Sequence, residues 1–172
     1  MARREKKTAI YAGTFDPITK GHLDIVIRAA QVFDQVIIAV STHEGKNPVF
    51  NLEERVQIIQ EAINEELIGV SVPIKVAPFD GLLVEFARSV SDKVTIVRGI
   101  RNTTDFDMEA DMAQKNAILD PKLDSVYFMT REECRQISSS FVKELSRFGR
   151  RTEVRRYVPR AAYQAMRSKG CL

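Results

Sequence analysis

Short apolar runs alternate along this chain with longer stretches in which apolar residues recur every three or four positions. The runs Thr8–Gly13, Val36–Ser41, Ile74–Pro78, Val94–Arg98 and Ser125–Met129 predict five strands, the second and fourth rich in the Val and Ile that favour extended backbone. Between them the spacing becomes helical. His22, Val26, Ala29, Ala30 and Phe33 share one helix face. Asn51 followed by Glu54 is a capping signal for a helix over Leu52–Asn64. Further helices are predicted over Leu82–Val90, Asp105–Leu119, Ser139–Phe148 and, after Pro159, Arg160–Ser168. Strands that each lead into a helix require right-handed crossovers between parallel neighbours. The expected fold is therefore doubly wound, Rossmann-like α/β: a five-stranded parallel sheet with helices on both faces. Such sheets bind ligands beyond the carboxyl ends of their strands, where the strand order reverses.

The segments that follow the strands carry the candidate chemistry. After the first comes Gly13-Thr14-Phe15-Asp16-Pro17-Ile18-Thr19-Lys20-Gly21-His22, which enters a helix. Its glycines permit close backbone approach, and the helix start offers free N–H groups to phosphate oxygens. Thr14 can donate there, and His22 in the first turn would project its imidazole at the same oxygens. The second strand leads into a turn-rich loop presenting Lys46, a candidate phosphate clamp. His43 in that loop is assigned no role. After the third strand, Leu82 and Leu83 open a helix and either line an apolar slot or pack in the core.

The fourth strand emerges as Arg98-Gly99-Ile100-Arg101. Arginines at the end of a buried strand need either acids or an anionic ligand, because an unpaired buried charge is too costly. The reading favours a ligand, with Asp105 and Glu109 on the next helix as the alternative partners. The fifth strand precedes Cys134-Arg135-Gln136-Ile137-Ser138-Ser139-Ser140, in which the serines should cap a helix whose start faces the same crevice.

Composition narrows the picture further. At 172 residues the chain suits one domain, 1–172, with residues 1–7 expected to be a flexible N-terminal extension. Cys134 and Cys171 form no metal-ligand spacing and are expected to be free thiols in a reducing compartment. No stretch is long and apolar enough for a signal core or a membrane span, so the expectation is a cytoplasmic protein with no membrane partner. The net charge of +3 hides an asymmetry: residues 131–172 carry 11 Lys and Arg against 4 Glu, while residues 1–130 carry 15 basic against 19 acidic. Without interleaved aromatics or a binding motif, that basic tail is read as a solvated face or a subunit contact, not a nucleic-acid surface.

Gly-Thr-Phe-Asp-Pro-Ile-Thr-x-Gly-His at 13–22, Leu-Glu-Glu-Arg at 52–55, Arg-Gly-Ile-Arg at 98–101 and Ile-Ser-Ser-Ser at 137–140 together resemble bacterial phosphopantetheine adenylyltransferase, of the nucleotidyltransferase superfamily marked by T/H-x-G-H. The resemblance covers nearly the whole chain. It implies transfer of the adenylyl group of ATP to 4′-phosphopantetheine, with Mg2+ held mainly by the ATP phosphates instead of by protein ligands, in a homohexamer. It further implies that Thr14, Lys46, Leu83 and Arg98 hold phosphopantetheine. Thr14, Phe15, His22, Gly99, Ile100, Arg101, Glu109 and the run Cys134, Arg135, Gln136, Ile137, Ser138, Ser139, Ser140 would contact ATP, and His22 would stabilise the transition state. Lys46, Arg98 and Arg101 would assist it by charge. Ala12 stands where the family often has proline, and Cys134 where an aromatic is common. Rival readings are another superfamily member, such as a cytidylyltransferase or a nicotinate-mononucleotide adenylyltransferase, and a non-catalytic nucleotide-binding module.

Overall fold

The computed structural model describes residues 6–43 and 48–172. Its strands are β1 (Thr8–Gly13), β2 (Gln35–Ser41), β3 (Ile74–Phe79), β4 (Val94–Ile100) and β5 (Asp124–Met129), and its helices are α1 (Lys20–Ala30), α2 (Leu52–Glu66), α3 (Leu83–Val90), α4 (Thr103–Leu119), α5 (Ser139–Arg147), α6 (Arg151–Tyr157) and α7 (Arg160–Ser168). All strand pairs are parallel, in the order β3-β2-β1-β4-β5. The chain runs outward from β1 to β3, then crosses back to place β4 on the other side of β1. The reversal therefore lies between β1 and β4, which pair from Thr8 with Val94 to Tyr11 with Val97.

Alternation along β1 and β2 splits the core into two layers. Ala9, Tyr11, Val36, Ile38 and Val40 face a large cluster built with α1, α2, α5, α6 and α7. Ile10, Ala12, Ile37 and Ala39 face a smaller one with Val84 and Ala87 of α3. Each fully buried isoleucine contributes roughly 1.5–3 kcal/mol, so these two central strands anchor the molecule.

Two departures from the sequence pattern bear on the site. Helix α6 was not anticipated: only Val154 of its residues is buried, so no apolar stripe announces it. β4 also extends past the expected end at Arg98, because Arg98, Gly99 and Ile100 continue the ladder with Tyr127, Phe128 and Met129 of β5. Arg98 thus sits within a strand, and only Arg101 follows it. Gly99 lets α1 pack closely against this extension. A Cβ there would lie 2.9 Å from Ile25 Cγ1 and 3.1 Å from Ile25 Cδ1 on α1. Gly99→Ala should accordingly destabilise the fold by about 1–3 kcal/mol through overpacking. Urea unfolding measures this, and an unchanged midpoint would show that Ile25 yields without cost.

Candidate active site

A cleft of about 490 Å³ opens at the β1–β4 reversal, between the starts of α1 and α5 and the side of α4. The segment after β1 forms its near wall. Phe15 adopts φ 50, a left-handed conformation unusual for a bulky side chain. This folds its ring back over Gly13, where a Cβ would stand 3.1 Å away. The ring then meets His22 edge-on at 5.1 Å and Tyr11 at 5.4 Å.

Two buried ionic groups hold this segment in place. Asp16 accepts from the backbone N–H groups of Val49 at 3.0 Å and Phe50 at 2.9 Å and from Lys143 Nζ at 3.1 Å. Arg55 donates through Nη1 to the carbonyls of Thr14 and Ser41, both at 2.9 Å, and through Nε to those of Phe50 and Asn51. Both residues lie in motifs that carry the family resemblance, but the sequence gives neither a role, since a charge on a helix or in a turn ordinarily reads as solvated.

His22 has a local duty besides facing the cleft. Thr19 caps α1, and the two residues form a reciprocal capping box. The Thr19 N–H donates to His22 Nδ1 at 3.0 Å. Nδ1 must therefore be the bare acceptor, and the ring proton resides on Nε2. Burial, with smaller contributions from Arg101 and Arg98, pushes the His22 pKa from 6.5 down to about 4. The ring is thus a neutral donor of fixed tautomer, not a cation.

Both arginines of the fourth strand end are paired with acids of α4, the partners that the sequence offered as the alternative to an anionic ligand. Arg98 grips Glu109 with Nε and Nη2 and donates from Nη1 to the Ala12 carbonyl. Arg101 grips Asp105 at 2.7 and 3.0 Å. That hydrogen bond raises the Arg101 pKa and lowers that of Asp105. The acids orient the guanidinium groups, whose remaining N–H bonds stay available to an anion.

Across the cleft, Ser138 caps α5 by accepting from Phe141 N–H at 3.1 Å, and Ser139 Oγ donates to the Pro17 carbonyl at 2.8 Å. That bond ties the start of α5 to the loop after β1. A Cβ on Gly21 would be 3.7 Å from the Ile137 carbonyl, so the starts of α1 and α5 stand side by side with unpaired amides.

Of the residues named from sequence, Thr14, Phe15, His22, Arg98, Gly99, Arg101 and Glu109 line this cleft, together with Ile137, Ser138, Ser139 and Ser140. Others do not. Leu83 packs at the margin of the smaller core cluster, Ile100 is buried, and Cys134 is covered beneath the start of α1. Arg135 is exposed and pairs with Glu132, and Gln136 is exposed. Lys46 lies outside the described residues. The cleft also takes in Tyr11, Ile25, Asp105, Met108 and Thr130; of these only Asp105 was noticed in the sequence, as an ion-pair partner. Among the described residues no group of three His, Cys, Asp or Glu side chains could hold a metal ion.

A family model described as cytidylyltransferase-like matches residues 10–145. The phosphopantetheine adenylyltransferase of Alkaliphilus metalliredigens is 42% identical over 163 residues, covering 95% of this chain and 99% of that one. The enzyme of the same name from Lachnoclostridium phytofermentans is 38% identical over 164 residues, covering 95% of each. This chain belongs to the phosphopantetheine adenylyltransferase family. Solved structures share the family fold at lower identity. The nicotinic acid mononucleotide adenylyltransferase of Plasmodium falciparum, complexed with NaAD, superposes with a TM-score of 0.73 at 14% identity, covering 95% of this chain and 96% of that one. Thermotoga maritima TmcAL, bound with alpha-thio ATP, gives 0.63 at 14% identity, with 95% and 56% covered.

The neutral state of His22 has a measurable consequence for this family member. An unfolded histidine protonates near pH 6.5, but the folded ring does so only near 4. Between those values the unfolded chain binds more protons, so His22 makes the fold lose stability as pH falls through that window. NMR titration of the two histidines should show the His22 ring protonated on Nε2 alone down to about pH 5. Titration of that signal near 6.5 would overturn the assignment.

Proposed function

We propose that this chain reversibly transfers the adenylyl group of ATP to 4′-phosphopantetheine, giving dephospho-coenzyme A and pyrophosphate. What carries the reading is the end-to-end match to two relatives of that name. The cleft supports it by gathering phosphate-binding groups around a single space.

The acceptor is a phosphate monoester whose second pKa of roughly 6 leaves it largely dianionic at neutral pH. It can attack without a general base, and the neutral His22 has no proton to remove. The task is to position two anions that repel each other and to stabilise charge that grows at the α-phosphorus. In this proposal the amides at the starts of α1 and α5, with Phe15, Gly99, Arg101, Glu109 and Ser138 to Ser140, receive ATP. Thr14, Arg98 and Lys46 receive the acceptor phosphate. An acceptor oxygen attacks in line, forming its bond to the α-phosphorus as the bond to the bridging oxygen breaks and pyrophosphate leaves. His22 Nε2–H donates to the α-phosphoryl oxygen, and no covalent enzyme intermediate forms. Mg2+ bound to the ATP phosphates supplies charge neutralisation, which fits a cleft whose carboxylates, Asp105 and Glu109, are engaged by arginines.

Asn116 is the one buried residue of α4, whereas Met112 and Ile118 are exposed. Beside it, edge strand β5 exposes Val126 and Met129. Such an apolar face suits the subunit contacts of a homohexamer. No helix among the described residues is long and apolar enough to cross a membrane, and we place the enzyme in the cytoplasm, where ATP is abundant. Light scattering should return the mass of six 19.5 kDa chains, with Met112→Asp and Ile118→Asp shifting it downward; a wild-type monomer would sink the assembly.

One incubation with ATP, Mg2+ and phosphopantetheine tests the reaction, following dephospho-coenzyme A and pyrophosphate. Nicotinate mononucleotide or glycerol 3-phosphate in place of the acceptor should give no product. His22→Ala should lower kcat by roughly 10²–10³-fold, as for loss of one preorganised donor, with far smaller effects on substrate binding. An unchanged kcat would remove His22 from the chemistry.

A further inference from the structure

One polar group on the cleft floor has no duty within the fold. Tyr11 lies on the central strand β1 and is 7% exposed. Its ring is packed between Phe15, edge-on at 5.4 Å, and His22 at 6.2 Å. Packing explains the ring but not the oxygen, since phenylalanine would fill the same space. Buried tyrosines ordinarily satisfy their hydroxyl within the protein. Among the described residues the Tyr11 hydroxyl has no hydrogen-bond partner, and the side chain belongs to the cleft lining.

Its neighbour in charge is Arg98. The Arg98 Nη1 donates at 2.5 Å to the carbonyl of Ala12, the residue after Tyr11, which holds the guanidinium over this end of β1. Arg98 supplies positive charge there, but Glu109 and Ala12 engage each of its three nitrogens. Two N–H bonds remain on those nitrogens for a phosphate, and an uncommitted donor beside them would add a further contact.

We propose that the Tyr11 hydroxyl is that donor, binding the phosphate of the acceptor substrate next to Arg98; this rests on the acceptor assignment made above. Burial raises the phenol pKa well beyond its ordinary value, so Tyr11 keeps its proton at any working pH. A neutral donor also suits a nucleophile. It orients the attacking oxygens without protonating them and leaves the dianion's charge to Arg98.

Tyr11→Phe removes only the hydroxyl and leaves the ring against Phe15 and His22, so the thermal midpoint should shift by no more than a few degrees. In that variant the dissociation constant and KM for phosphopantetheine should rise about 10- to 100-fold, the loss expected for a hydrogen bond to a charged group. KM for ATP should stay within about threefold. A change in acceptor affinity below about fivefold would overturn the proposal. Titration of both proteins with inorganic phosphate, followed by NMR, separates this inference from the reading beneath it. If the wild type fails to adenylate phosphopantetheine yet Tyr11→Phe binds phosphate about fivefold more weakly, the acceptor reading fails and the phosphate donor stands. Equal phosphate affinity in the two proteins removes Tyr11 whatever the enzyme's substrate.

Discussion

The guanidinium of Arg55 and the carboxylate of Asp16, 1% and 7% exposed, hold the segment on which the cleft is built. Burying either charge costs several kcal/mol unless hydrogen bonds replace the lost water. Here the cation collects carbonyls from Thr14, Ser41, Phe50 and Asn51, and the anion collects the amides of Val49 and Phe50 and the Lys143 ammonium. Most of their backbone partners (Thr14, Val49, Phe50 and Asn51) lie in the segments after β1 and β2, outside the sheet. The brace thereby holds Thr14 and Phe15 in place and leads the chain into α1 with His22 at its first turn. Lys143 extends it to α5, and Ser139 closes the circuit on Pro17. Four segments distant in sequence are fixed around one space, and none of Asp16, Arg55 and Lys143 is part of its lining.

The charge inside that space is managed differently. Arg98 and Arg101 are each held by an acid of α4, and the histidine between the two helix starts is neutral. A cationic ring beside two guanidinium groups would be self-repelling in the free protein, and burial already disfavours it. Donors oriented in advance and without net repulsion need little rearrangement when a polyphosphate arrives. This accounts for a peculiarity of α4, which buries little of its surface yet supplies both acids. Its inner face serves the site more than the core, and its outer face is left apolar.

Much of this was legible in the sequence because the relevant physics is local. The limits of β1 follow from an apolar run ending at Gly13, and the serine run caps α5 as its residue type demands. The convergence of the strand ends follows from parallel topology alone. The brace and the cleft floor were not legible. Asp16, Arg55 and Lys143 carry charges in patterns that equally describe a wet surface. Tyr11 sits in an apolar strand where an aromatic is simply core. The fourth strand is expected to end at Arg98, yet its ladder with β5 runs on through Gly99 and Ile100, because pairing with a distant strand is invisible in a linear pattern.

The sequence by itself determined the alternation of strands and helices, the glycines and caps at the strand ends and the family to which the chain belongs. These rest on periodicity and on short-range hydrogen bonding, which neighbouring residues settle among themselves. Only the tertiary structure decided which arginine meets which acid, which nitrogen of His22 keeps its proton, and which polar groups inside the cleft lack a protein partner. Those outcomes depend on burial and on distances between segments far apart in the chain, and a linear pattern of residues specifies neither.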